Sequence, residues 1–168
     1  MDEIASLLEP QIPALRRYAW ALLRDDEGAD DLVQDTLERA IGRWSQRRDG
    51  DLRAWLFAIQ RNLFLNGLRQ RRSRGAHVGD EALNDLPAPG TSPENHASLH
   101  DILVGLDALP EEQRSILLLV GVEDLSYEQA AKVLDVPIGT VMSRLSRARA
   151  RLRDFMDNGR SAVLRRVK

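Results

Sequence analysis

The chain has 168 residues, 43% of them hydrophobic, which is enough for one ordinary domain or two small ones and carries no compositional mark of disorder. It contains no cysteine, which excludes a disulfide framework and any thiolate metal site, and no run approaches the roughly 18 apolar residues that a membrane span needs. The net charge of −2 excludes a uniformly basic nucleic-acid binder, yet residues 25–38 hold seven acids and no base, while residues 144–153 hold five arginines and no acid. That asymmetry implies two different partners, one of them polyanionic.

The N-terminus, MDEIASLLEP, opens with acids and lacks a basic segment followed by an apolar run, so neither export nor membrane insertion is expected and the cytoplasm is the expected location. Residues Gln11 to Arg24 carry Ile12, Leu15, Ala19 and Leu22 at helical spacing. Val33, Leu37, Ala40, Ile41 and Trp44 give a second apolar stripe, and Trp55, Leu56, Ile59, Leu63 and Phe64 a third. Three such helices can pack as a small bundle spanning residues 1–74. On the second helix Asp31, Asp35 and Glu38 share a face, and the like-charged Asp31/Asp35 pair costs about 0.2–0.5 kcal/mol unless a partner offsets it.

Four of the seven prolines lie between Pro87 and Pro110, and DEALNDLPAPGTSPENH is rich in Pro, Gly, Ser and acids. It would cost more to order than it could bury, so residues 75–98 are expected to be a flexible linker. The expectation is therefore an all-α protein of two small helical domains, with the second over residues 99–168.

Ser126 followed by Gln129 is a capping-box pattern that starts a short helix with Ala130, Ala131 and Leu134 inside. Pro137 ends it, because proline lacks an amide donor and disfavours helix at Val136. A second helix begins near Ile138, and at 100° per residue Ile138, Val141, Leu145, Ala148, Leu152 and Phe155 fall on one side, which should be buried. Opposite lie Gly139, Ser143, Ser146, Arg147 and Ala150, small or hydrogen-bonding residues suited to a major groove, with Thr140 at the helix start. Met142, Arg144, Arg149 and Arg151 flank that face, where arginines reach phosphates while Arg147 reads a base edge.

Leu109-Pro110 with Arg114, LSYEQAA and PIGTVMSRLSRARARL together resemble the fourth conserved region of sigma-70 family factors. The segments ADDLVQDTLERA and LRAWLFAIQRNLFLNGLRQRR resemble the second region of the same family. Two regions joined by a linker is the layout of the extracytoplasmic-function (ECF) group. The resemblance implies a sigma factor that binds core RNA polymerase and directs promoter-specific initiation under the control of an anti-sigma factor. It implies minus-35 recognition by the second domain, and minus-10 opening and recognition by the first. It also implies that Gln34, Asp35 and Glu38, alongside Asp31, bind the clamp helices of the largest polymerase subunit. The position of Met142 is commonly basic in the family, so its presence implies an altered minus-35 preference.

Promoter melting requires unpaired bases to be held by apolar platforms, hydrogen bonds to base edges and a basic groove. Arg61, Arg69, Arg71, Arg72 and Arg74 supply a basic run, Asn62 a base-edge partner, and the loop Arg47-Arg48-Asp49-Gly50-Asp51 a wall for one flipped base. By resemblance, minus-10 specificity sits at Asn62 and that loop. Trp55 and Phe57 belong to an apolar stripe and are read as core.

His77, His96 and His100 lack metal or base spacing, and there is no glycine-rich phosphate loop, so no enzyme, cofactor, metal or small-molecule substrate is expected. One alternative is a dimeric helix-turn-helix operator-binding regulator; another is a helical adaptor that binds only proteins. In a free sigma factor the linker would let the two domains pack together or swing freely until polymerase sets their spacing.

Overall fold

A computed structural model describes residues 1–75 and the backbone of 93–166, with side chains for 1–75 and 99–158. Most of the segment read as linker, with His77, lies outside the described residues, as does the side chain of His96. Helices α1 (Asp2–Leu8), α2 (Ile12–Leu23), α3 (Asp26–Gly42) and α4 (Leu52–Ser73) form the first unit. The second comprises α5 (Pro93–Asp107), α6 (Glu111–Leu117), α7 (Tyr127–Leu134) and α8 (Ile138–Arg166), with a π-helical turn over Leu118–Val122. No strand occurs among the described residues, and α5 begins inside the stretch read as linker.

Local chemistry sets the boundaries. Asp25 takes an extended conformation and its carboxylate accepts the Gly28 amide at 2.9 Å, starting α3. Asp51 does the same for α4, accepting from Ala54 at 3.1 Å. Ser126 and Gln129 close the capping box on α7, which Asp135 ends in the left-handed region at φ 52° ahead of Pro137.

In the first unit Leu15, Tyr18 and Ala19 of α2 meet Leu32, Val33 and Ala40 of α3 and Leu56, Phe57 and Phe64 of α4. Tyr18 and Phe57 pack edge to face with centroids 5.3 Å apart. Two polar residues join this core: Thr36 donates to Leu32 O at 2.7 Å, and Gln60 Nε2 donates to Leu15 O at 2.8 Å. Ile41, assigned to the apolar stripe, is 41% exposed because α3 ends at Gly42, one residue later. In the second unit Ile116, Leu119, Leu125, Ala130, Leu134, Val141, Leu145 and Ala148 are buried, with Leu152 and Phe155 half-buried. Ile138 departs from its expected stripe: at the first turn of α8 there is nothing above it to pack on, and it is 41% exposed.

The two units pack on each other, with α4 against α7 and α2 against the π-helical turn. Buried polar pairs run through the interface. Tyr18 Oη donates to Ser115 Oγ at 3.2 Å, Ser115 donates to Glu111 at 2.7 Å, and Arg61 Nη2 donates to the other Glu111 oxygen at 3.2 Å. Burial, tempered by the Ser115 bond, pushes the Tyr18 hydroxyl up to about 12. Glu123, with a side chain only 1% exposed, receives Arg17 through Nε at 2.9 Å and Nη2 at 2.7 Å. Arg53 Nη2 donates to the Glu123 carbonyl at 2.7 Å. Arg24, in the left-handed region at φ 55°, reaches Leu103 O at 3.3 Å and Asp107 at 3.5 Å; burial lowers its pKa, against the attraction of Asp107.

Candidate nucleic-acid interface

Along α8 the burial of Val141, Leu145 and Ala148 fixes the helix rotation and turns Gly139, Ser143, Ser146, Arg147 and Ala150 outward. All five are exposed, as are Met142, Arg149 and Arg151 on the flanks. Ser143 Oγ donates back to Thr140 O at 3.1 Å, and Thr140 is half-buried, so the first turn offers little polar reach. Arg144 differs from the other arginines: its Nη2 lies 3.8 Å from Glu112 and its side chain is only 24% exposed, so here it ties α8 to α6 instead of projecting outward.

The loop after α3 is braced from within. Arg47 stacks on Trp44 at 5.1 Å and donates to Gly50 O at 3.3 Å, and Trp44 meets Trp55 edge to face at 6.1 Å. Arg47, Gly50 and Trp55, with Arg48, Asp51 and Ala58, line a cavity of about 370 Å³. Across its mouth stands α7: Lys132 lines the cavity, and Gln129 Nε2 donates to Asp51. Burial alone would raise the Asp51 pKa, but bonds from Gln129 and the Ala54 and Arg53 amides hold it below its ordinary value.

The basic run is divided. Asn62, Arg69, Arg71 and Arg72 are exposed on α4, and Arg48 and Asp49 are exposed in the loop, whereas Arg61 is only 9% exposed and committed to Glu111. An arginine in an apolar stripe of α4 faces the second unit rather than the solvent, which spacing alone does not reveal. Sequence reasoning placed Arg47 in the loop, Trp44 in an apolar stripe and Gln129 in a cap, and passed over Lys132 and the bracing of the loop; the Trp44/Trp55 pair flanking an arginine-glycine loop was the available signal.

On α3, Asp31, Gln34, Asp35 and Glu38 are all exposed, with Gln34 Nε2 donating to Glu38 at 3.2 Å. No ion pair satisfies these three acids among the described residues.

Two family models match the chain: "Sigma2 domain of PhyR" over residues 8–60 and "Sigma-70, region 4" over 99–152. The ECF RNA polymerase sigma factor EcfG of Rhodopseudomonas palustris (strain TIE-1) is 39% identical over 153 residues, covering 90% of this chain and 83% of that protein. This chain is an ECF RNA polymerase sigma factor. The structure of the sigma factor RpoE in complex with the anti-sigma factor NepR, from Bartonella quintana, matches this sigma factor with a TM-score of 0.80 and 34% identity. That match covers 94% of this chain and 98% of the other. The PhyRSL–NepR complex from Sphingomonas sp. Fr1 matches at 26% identity and a TM-score of 0.64, over 91% of this chain and 88% of the other. Family membership sets aside the dimeric operator-binding regulator and the protein-only adaptor. Among the described residues, no helix is long and apolar enough to cross a membrane.

Proposed function

We propose that this sigma factor binds core RNA polymerase in the cytoplasm through the acidic face of α3, with Asp31, Gln34, Asp35 and Glu38 meeting a basic surface on the clamp helices. The outer face of α8 then takes the minus-35 duplex, with Arg147 on a base edge and Arg149 and Arg151 on phosphates. The Arg47–Asp51 loop cavity receives one flipped minus-10 base, while Asn62, Arg69, Arg71 and Arg72 follow the melted strand. The observation that carries this reading is the pairing, on one chain, of an exposed helix face with a separate cavity of about 370 Å³ that Arg47 and Arg48 help to line. A duplex-only reader has no use for the second.

The packed arrangement masks half of this machinery: Lys132 and Gln129 stand over the loop and Glu111 holds Arg61, while the α8 face stays open. Its match over both units to a sigma factor bound by an anti-sigma factor supports control by such a partner, holding the closed form until a signal releases it. The polymerase assignment is tested with full-length Asp35→Arg and immobilised core enzyme. Retention should fall by at least tenfold while DNA affinity is unchanged, and unaltered retention would move the interface off α3.

A further inference from the structure

We infer that Ile138 and Met142 form an apolar edge that recognises the 5-methyl group of a thymine in the minus-35 element. The inference rests on the assignment of α8 as the minus-35 reader and adds what its leading turn reads.

The two residues stand four apart at the start of α8, so their side chains lie one above the other, on the flank of the helix between its buried stripe and its outward face. N-terminal residues of the second helix of a helix-turn-helix are those that meet base edges. Both are solvent-facing, Met142 at 51% and Ile138 at 41%, whereas Val141 and Leu145 between and after them are buried. The fold does not need this pair for its core. Their neighbours in the first turns are small: a Cβ placed on Gly139 would meet no atom within 4 Å, and Ser143 is turned back onto Thr140 O.

Occupancy by DNA rather than by protein follows from what surrounds the edge. Arg147, Arg149 and Arg151, all exposed, continue the same helix, and a polyanion is what that charge fits. Arg144, the first arginine of α8, is drawn to Glu112 and leaves the leading turn without a charged donor. Neither isoleucine nor methionine can hydrogen-bond a base edge. Among the four bases in the major groove only thymine presents a methyl group, beside its O4 acceptor, whereas the others present only donors or acceptors, which an apolar edge would leave unpaired.

Replacing thymine by deoxyuridine removes that methyl and nothing else. The minus-35 duplex is first obtained by selecting random duplexes with the full-length chain bound to core polymerase; each dT is then replaced by dU and the affinity compared. Burial of one methyl corresponds to about a fourfold effect, so one position should lose about fourfold with the native chain. At that position Met142→Ala should abolish the loss and Ile138→Ala should reduce it, with the helical content of both variants unchanged. Full tolerance of dU at every position overturns the inference, as does a fourfold loss that persists undiminished in both variants. Failure to select any sequence, together with sequence-blind binding by Arg147→Ala and native chain alike, overturns the α8 assignment itself and the inference with it.

Discussion

Glu123→Gln should loosen the packing of the two units. The carboxylate is 1% exposed and accepts two bonds from Arg17 at 2.9 and 2.7 Å, with Arg53 Nη2 3.4 Å from the same oxygen that the shorter bond uses. Glutamine retains one acceptor, but its amide nitrogen then faces a guanidinium, donor against donor. Hydrogen bonds to charged groups contribute about 1.5–3 kcal/mol each when shielded from water. Arg17, however, has a side chain 54% exposed, so its share is discounted to the surface range of below about 1 kcal/mol. With Arg53 at 31% exposure adding to this, the net loss is about 2 kcal/mol, or roughly a 30-fold rise in the open population. The chain has no cysteine, so the exposed Glu27 and Glu128 can be changed to cysteine and spin-labelled without background. Pulsed electron resonance should give one narrow distance distribution for the native background and a broad, longer component with Glu123→Gln. An unchanged distance distribution in a folded variant would refute the assignment of Glu123 as a clasp between the units.

Gly105→Ala should destabilise the second unit despite the better helix propensity of alanine, because the added Cβ would lie 2.7 Å from Leu152 Cδ1 and 2.9 Å from Phe155 Cδ1. Overpacking costs about 1–3 kcal/mol against a propensity gain of about 1, so the denaturant midpoint should correspond to a net loss of about 1 kcal/mol; a gain would contradict it. Tyr18 sets an alkaline limit: its folded pKa, raised to about 12, exceeds the unfolded value, so its contribution is full below pH ~10 and is lost as pH rises through the folded value. Unfolding free energy measured against pH should therefore lose part of its decline above pH ~10 in Tyr18→Phe, and an identical decline in both chains would contradict the burial of that hydroxyl.

Much of the fold was legible because its signals are local. The Ser126/Gln129 capping box and Pro137 place α7 and the start of α8, and the stripe Val141, Leu145, Ala148 fixes which face of α8 turns outward. Ile138 and Ile41 misled the periodicity reading for a common reason: a helical stripe predicts direction, and at a helix end there is no neighbouring element in that direction to cover it. Thr36 and Gln60 were invisible as core residues because each satisfies its polarity through a backbone carbonyl that only the folded chain supplies. Packing of the two units was left open beside free swinging for the same kind of reason. Arg61 was read as part of the basic run for melted DNA and Arg17, Arg53, Glu111 and Glu123 carried no sequence signal, and only their pairing across the units makes them an interface. On opening, the arginines of this interface can exchange a carboxylate for a phosphate, whereas Glu111 and Glu123 are left to water.

Run-off transcription tests the central claim most directly. Purified bacterial core polymerase is combined with a pool of genomic promoter fragments, with and without the full-length chain. Discrete start sites that appear only when the chain is present are the predicted result. No new start site, together with a shifted band on a palindromic fragment in the absence of polymerase, would contradict a role in initiation.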